Sequence, residues 1–425
     1  MPELENLPSD VTTRLRQLGG AEIVVGLPSY NNAGTIAGVV RCVRQGLREA
    51  FPGKHAIIVN TDCGSTDGTA QQVTDLPDEE GVALLQAILP VQDLVMPYHG
   101  IPGKSDGLRL TLRIARQLDA RLCLMLSPDL TSLTPSSIHQ LGSPIVKEGF
   151  DFVVPVYARH KLDGAINNSI VRPLVRALYG KRVEQPMGGE YAFSAALIDP
   201  YLTQKIWDTD LARFGTDIWT TTQALRGPFK LCQVRLGNKL QAPSGSPPDL
   251  GTTLVHVLGS LFEDMSLNAA AWQKVRGSHP TPILGSASEG PPHAVTFDVR
   301  KLVESFCLGL RNLQDVWSLV LPPATLLELK RAAALAPEAL ALPDELWCRV
   351  VFDFALAYRL RTMNRSHLLG AFLPLYLGWV GSYAWQVQEA TEAKSEQRLE
   401  ELCQTYEAQK PYLISRWRSP DRFNP

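Results

Sequence analysis

Through the first half of the chain, short apolar runs alternate with segments whose apolar residues recur at helical spacing. Residues 23–25 read as a strand running into the polar stretch GLPSYNNAG, and residues 35–48 follow with helical spacing. Residues 56–60 read as a second strand, ending in TDCGSTDGT, and the next segment is helical again. Residues 122–126 and 152–156, rich in Leu and Val, predict further buried strands. Strands that alternate with helices predict a mainly parallel sheet covered on both faces. Ligands of such sheets bind at the carboxyl ends of the strands, and the polar stretches fall there.

Beyond residue 250 the strand signals fade. The Pro-, Gly- and Ser-rich segment 277–293 predicts a boundary or an active-site flap. Helices are predicted at 306–320, 324–336, 343–363, 368–385 and 386–408, with Pro343 at the first helical position, where its missing N–H costs nothing. The pattern divides the chain into an N-terminal arm (1–20), an α/β domain (21–270), a flexible loop (271–296) and a helical C-terminal domain (297–425). Residues 368–385 carry no charge, but Gly370, Pro374, Gly378, Gly381 and Ser382 interrupt them. A membrane span needs about 20 apolar residues, so a buried helix is expected here and no membrane span. An apolar helical tail could also supply a homodimer interface.

Composition narrows the partners. A formal net charge of −2 over 425 residues, with no clustered basic stripe, gives no reason to expect nucleic acid. The seven cysteines (Cys42, Cys63, Cys123, Cys232, Cys307, Cys348, Cys403) are scattered and never form CxxC, which fits buried thiols in a reducing cytoplasm. The first twenty residues are polar and lack the apolar stretch of a secretory signal.

The candidate chemistry lies at the strand ends. Pro28-Ser29-Tyr30-Asn31 follows the first strand, and Asp62, Gly64, Ser65, Asp67, Gly68 and Thr69 follow the second. A carboxylate there can accept a nucleobase N–H, glycines let the backbone pass closely, and Asp67-Gly68-Thr69 makes a good helix entry. No GxGxxG follows the first strand, which excludes the dinucleotide-binding fingerprint. Gly103-Lys104-Ser105-Asp106-Gly107 sets a lysine before a helix predicted at 108–118, where its ammonium and nearby N–H groups could meet a diphosphate. A Walker A loop is excluded by the spacing. Val183-Glu184-Gln185-Pro186-Met187-Gly188-Gly189-Glu190 and, later, Gly215-Thr216-Asp217 read on their own as glycine turns beside acids.

The order P-S-Y-N, then D-x-G-S-x-D-G-T, resembles the nucleotide-binding half of family 2-type glycosyltransferases with the Rossmann-like GT-A fold. GKSDG, EQPMGGE and FGTD, in that order, resemble a narrower group: mannosylglycerate synthase and its relatives, including glucosyl-3-phosphoglycerate synthases. The resemblance covers residues 22–270 and, more loosely, the helical tail. It implies an α/β GT-A domain with a helical C-terminal extension. The implied activity is transfer of a hexose, with retention, from a nucleoside-diphosphate sugar to a small, glycerate-like hydroxy acid. The donor residues it implies are Pro28, Tyr30, Asn31, Asp62 on the base, Lys104 on the diphosphate, Asp106, Asp129, Gly189 and Glu190. Lys104 and Asp217 fall on the catalytic positions, with Asp217 at the sugar and acceptor. Arg159, Asp163 and Asn167 fall on the acceptor segment, Arg159 clamping the carboxylate as a bidentate fork.

The pattern breaks at the metal. Such enzymes hold Mg²⁺ or Mn²⁺ with D-x-D at a strand end and a later histidine. Here Ser127 stands where the first aspartate is expected, Asp129 remains, and Gln241 falls on the histidine. Asp129 and the Gln241 amide oxygen could hold the ion with water and phosphate oxygens, or Lys104 or Lys239 could supply the charge. Other readings are a transferase with a lipid or polysaccharide acceptor and a nucleotide-sugar-binding pseudoenzyme.

Overall fold

The computed structural model describes residues 7–77, 79, 81–90, 95–242, 249–286, 292 and 294–420. The chain divides into two compact units. The first comprises Met1–Ala158, Gln185–Asp249 and Thr281–Gly290; the second comprises Arg159–Glu184, Leu250–Pro280 and Pro291–Pro425. Two segments, 159–184 and 250–280, therefore group with the C-terminal helices although they precede residue 297 in the chain.

The first unit is built on an eight-stranded sheet. Its strands are β1 (Ile23–Ser29), β2 (Ala56–Asp62), β3 (Val82–Ile88), β4 (Leu122–Met125), β5 (Phe152–Ala158), β7 (Tyr191–Ser194), β8 (Leu231–Asn238) and β10 (Ile283–Leu284), in the spatial order β10-β8-β5-β7-β4-β1-β2-β3. All pairs are parallel except those of β7, which runs antiparallel to β4 and β5. Every residue of β1 and β2 is buried, as continuous apolar runs in a doubly covered sheet require. The helices of this unit are α1 (Ser9–Leu18), α2 (Ile36–Ala50), α3 (Thr69–Thr74), α4 (Lys104–Gln117), α5 (Pro135–Glu148), α7 (Ala195–Leu202) and α8 (Asp210–Arg226). Val39, Val40, Val43 and Leu47 of α2 and Ile138 and Leu141 of α5 join Val25, Leu27, Ile58 and Leu124 of the strands in one apolar core.

This layout makes a switch point. The chain runs β1, β2, β3 toward one edge and then returns to lay β4 on the other side of β1. The loops leaving β1 and β4 thus part in opposite directions and open a crevice at the strands' carboxyl ends. Because β7 is antiparallel, its first residue, Tyr191, lies level with Met125 at the end of β4. The turn before β7 is thereby delivered to the same end of the sheet.

The second unit holds α6 (Arg172–Tyr179), preceded by a π-helical turn at Asn167–Val171, then α9 (Leu250–Leu267), α10 (Ala269–Trp272), α11 (Val299–Asn312), α12 (Gln314–Ser318), α13 (Pro323–Ala333), α14 (Asp344–Leu360), α15 (Arg365–Gly370), α16 (Leu373–Gln386) and α17 (Glu392–Arg418). A two-stranded pairing, β6 (Lys181–Arg182) with β9 (His279–Pro280), completes it. The single helix expected at 306–320 is two, broken at Leu313, and the first begins at Val299 behind the cap of Asp298 on Lys301 N–H. Pro343 is the N-cap of α14 rather than its first residue. The helix expected from 386 starts at Glu392, where the Thr391 side chain accepts from Lys394 N–H.

The apolar stretch Arg365–Gln386 is long and apolar enough to cross a membrane by length and composition, and its most apolar part is mostly buried. Gly378 of this stretch and Gly309 of α11 serve packing. A Cβ on Gly378 would stand 2.7 Å from Phe306 Cγ, and one on Gly309 would stand 2.3 Å from Pro374 Cβ, so α11 and α16 meet backbone to side chain. Of the expected loop 277–293, residues 287–291 and 293 lie outside the described residues.

Candidate functional site

The loops after β1 and β2 are stitched into one surface by the motif residues themselves. Tyr30 N–H donates to Asn32 Oδ1 (2.8 Å), Asn31 N–H to Ser65 Oγ (2.9 Å), and Asn32 N–H to Thr69 Oγ1 (2.7 Å). Asn31 Oδ1 accepts from Thr66 N–H, and Asp67 accepts from Ala33 and Thr69 N–H. Asn31 sits at φ 52°, a region that asparagine tolerates better than most residues. Its side-chain oxygen is therefore committed to holding the loops in place.

Asp62 ends β2 and is 2% exposed. Its Oδ1 accepts from Gly64 and Ser65 N–H (3.1 and 2.8 Å). Its Oδ2 is buried and has no hydrogen-bond partner among the described residues. Leaving a carboxylate oxygen buried and unpaired costs free energy that a ligand N–H would recover. Beside it, a cavity of about 140 Å³ is lined by Cys63, Leu89, Pro102, Asp106, Trp207 and Arg213, among others. Asp106 is exposed on the first turn of α4. Pro28 packs behind this region, against Gly107.

Lys104 is the first residue of α4, so the helix begins four residues earlier than its sequence pattern predicts. An ammonium at a helix N-terminus meets the positive end of the dipole, and it is buried as well. Asp217 offsets both: Lys104 Nζ donates to Asp217 Oδ1 and Oδ2 at 2.7 and 2.9 Å, with side-chain exposures of 7% and 4%. Asp217 itself lies inside α8, not on a turn; the helix kinks at Gly215 (φ −117°, ψ 22°). Burial works to raise the Asp217 carboxyl, but the Lys104 ammonium, with His99 and Lys239 beyond it, holds it below the usual carboxylate range. Tyr98 lies beside the same carboxylate, and burial first, then the Asp217 charge, raise its phenol well above the ordinary value. Nothing in the sequence singles out Tyr98 or His99, because their segment has neither periodicity nor motif.

The end of β4 meets the start of β7 and the end of β8. Ser127 Oγ donates to Glu190 Oε1, and Tyr157 Oη donates to Glu190 Oε2 (2.8 Å). Lys239, the residue after β8, places Nζ 2.6 Å from Gly188 O and 2.9 Å from Glu190 Oε2, with the Tyr157 ring 5.1 Å away. Gly189 turns at φ 92°, and a Cβ there would stand 3.2 Å from Lys239 Nζ. Asp129 and Gln241 are brought together as expected of ligands to one ion, but as partners of each other. The Gln241 amide donates to both Asp129 oxygens at 3.2 Å, and Ala242 N–H donates to Asp129 O (2.9 Å). Burial raises the Asp129 carboxyl, against the Gln241 hydrogen bond and the Lys239 charge.

A divalent cation of this class takes several hard oxygen ligands. Among the described residues no group of three or more His, Cys, Asp or Glu could hold a metal ion. Ser127 is turned onto Glu190, and an amide facing a carboxylate presents its NH₂ rather than its oxygen. The residues present do not fit the Mg²⁺ or Mn²⁺ site that the sequence resemblance implies.

Of the acceptor candidates, Arg159, Asp163 and Asn167 lie in the second unit, whereas Asp217 lies in the first. Arg159 Nη1 pairs with Asp163 Oδ2 at 3.0 Å. Asn167 opens the π-helical turn; its Nδ2 donates to Glu184 O (3.0 Å), and its Oδ1 is buried with no partner among the described residues. Single π turns inserted in α-helices are frequent at functional sites.

No protein-family model and no curated protein matches the chain. Similar solved structures include glucosyl-3-phosphoglycerate synthase from Mycobacterium tuberculosis in complex with Mn²⁺, uridine diphosphate and phosphoglyceric acid. It is 21% identical, with 62% of this chain and 84% of that chain covered and a TM-score of 0.42. The same enzyme with Mg²⁺ and uridine diphosphate gives 21%, 61%, 84% and 0.42. A mycobacterial protein gives 18%, 61%, 79% and 0.41.

Proposed function

We propose that this protein is a glycosyltransferase that moves a hexose, with retention, from a nucleoside-diphosphate sugar to a small hydroxy acid of the glycerate kind. The observation that carries this reading is the unpartnered Oδ2 of Asp62 at the end of β2, in a sheet whose switch-point crevice also gathers Lys104, Asp217, Glu190 and Lys239. Asp62 accepts the base N–H, the ammonium groups face the diphosphate, and Asp217 and Glu190 face hexose hydroxyls. Arg159 takes the acceptor carboxylate, with Asp163 and Asn167 orienting it.

In the reaction the anomeric C–O bond to the diphosphate breaks, and a C–O bond to the acceptor hydroxyl forms on the same face. The hydroxyl proton passes to the departing diphosphate oxygen, so no side chain is required as a general base. The protein's part is positioning and charge stabilisation of the leaving group.

Thermal-shift screening against uridine and guanosine diphosphates and their hexose derivatives tests the donor, since binding raises the apparent stability by mass action. Mass spectrometry with glycerate, 3-phosphoglycerate and glycerol then tests the acceptor. A carboxylated acceptor should be glycosylated and glycerol should not. Arg159→Ala should raise the acceptor KM by about tenfold or more and leave the donor KM unchanged. A folded protein that no nucleoside diphosphate stabilises overturns the reading. Donor binding without transfer to any acceptor favours the second reading, a nucleotide-sugar-binding pseudoenzyme, which the commitment of Ser127 to Glu190 supports.

A further inference from the structure

We propose that the ammonium of Lys239 does the electrostatic work of a divalent cation at this site, so that nucleoside-diphosphate binding needs no metal. The inference rests on the glycosyltransferase reading and concerns the same crevice. Three carboxylates converge there from separate parts of the first unit: Asp129 after β4, Glu190 before β7, and Asp217 in α8. Lys104 neutralises Asp217 and the Gln241 amide covers Asp129, which leaves Glu190 as the carboxylate that Lys239 neutralises. Lys239 is hydrogen-bonded to Glu190, and its charge also works to lower the Asp129 and Asp217 carboxyls.

Lys239 is also held in place. Gly188 O, the Glu190 carboxylate and the Tyr157 ring fix the ammonium, and its side chain is 10% exposed. A lysine already ordered spends little rotamer entropy when an anion arrives. Its three N–H groups are directed at Gly188 O and the two Glu190 oxygens, the longest of them at 3.2 Å, so a phosphate oxygen would take that donor over from the carboxylate.

The residues that would compete for a metal are committed elsewhere. Ser127 in place of an acid removes one negative charge and one hard ligand, and its hydroxyl is spent on the same Glu190 that anchors Lys239. Gln241 closes both oxygens of Asp129 with its NH₂. The replaced ligands and the seated ammonium form one connected arrangement.

Calorimetric titration of the full chain with uridine diphosphate and guanosine diphosphate, in EDTA and in Mg²⁺ or Mn²⁺, tests this. The expected affinity in EDTA lies within about threefold of that with metal, since the charge-assisted contact is built in. Lys239→Met should weaken binding by about tenfold or more, with no rescue by Mn²⁺. Because that change strands Glu190, the paired variant Lys239→Met with Glu190→Gln, checked by thermal melting, serves where the single one fails to fold. Lys239→Arg should keep metal-free binding. A wild-type affinity that falls at least about tenfold in EDTA overturns the inference and leaves the donor reading standing. So does nucleotide binding unchanged in folded Lys239 variants. Binding of neither nucleotide under any condition overturns both.

Discussion

Asp62 shows how one carboxylate divides its oxygens between fold and ligand. Oδ1 holds the turn through Gly64 and Ser65, while Oδ2 is buried and unpaired among the described residues. Alanine would remove both functions at once and confuse the result, since the residue is buried in the last position of β2. Asparagine separates them: its oxygen can keep the turn, and its NH₂ would face a base N–H with a donor. A hydrogen bond to a charged group contributes about 1.5–3 kcal/mol. Asp62→Asn should therefore raise the nucleotide Kd by about tenfold to a hundredfold with an unchanged melting temperature. An unaltered Kd in the folded variant removes Asp62 from the donor site. The strand-end position of Asp62 was readable from the sequence, because the D-x-G-S-x-D-G-T run follows an apolar one and comes after P-S-Y-N on the preceding strand, in the order the resemblance requires. The pairings of Lys104 with Asp217 and Lys239 with Glu190 were not, since the partners stand 113 and 49 positions apart and no local pattern couples them.

At the level of elements, legibility followed burial pattern. β1 and β2 are continuous apolar runs and announced themselves. β8 did not, because Gln233 and Arg235 interrupt its apolar residues; Gln233 is nevertheless buried, satisfied by Thr281 and Pro282 carbonyls from a distant segment. The four-residue β7 is too short to carry a periodic signal, yet its antiparallel direction is what delivers Glu190. α4 depends on Gly107 to lie close to the strands: a Cβ there would stand 2.5 Å from Thr61 Oγ1 and 3.1 Å from Pro28 Cβ. In an open helix, Gly→Ala would gain about 1 kcal/mol of helix propensity. Here overpacking against a rigid proline ring costs about 1–3 kcal/mol, so the clash offsets or exceeds the gain. Gly107→Ala should lower the melting temperature and, by lifting the α4 N-terminus that carries Lys104, weaken nucleotide binding as well. A melting temperature at or above wild type would mean that α4 has room to spare.

At the scale of the whole molecule, chain order and spatial grouping part company. Segment 159–184 belongs with the C-terminal helices, tied to them by Arg172 with Glu396, Arg176 with Glu400, and the Trp347 and Tyr406 side chains on Ser169 O. Linear composition carries no sign of pairs so far apart, whereas the alternation of strands and helices does predict the sheet. The metal question is also one of long-range convergence, because Ser127 and Asp129 leave β4 while Gln241 leaves β8, two strands that are not neighbours. Backbone hydrogen bonds from Thr131 to Leu240 and from Ala242 to Asp129 join the two loops. Ser127→Asp with Gln241→His should therefore create a site for Mn²⁺, since a carboxylate and an imidazole are better ligands than a hydroxyl and an amide. Asp129, released from the glutamine, would be the third ligand. The new aspartate also stands beside Glu190, so Lys239 becomes its natural counter-ion and metal must compete with it. Metal affinity in the double variant should accordingly rise further when Lys239 is replaced by methionine. A competent scaffold then gains metal-dependent turnover, and a pseudoenzyme gains metal affinity alone. Unchanged Mn²⁺ affinity in the folded double variant, read by titration, would mean that the β4 and β8 loops do not converge on one site.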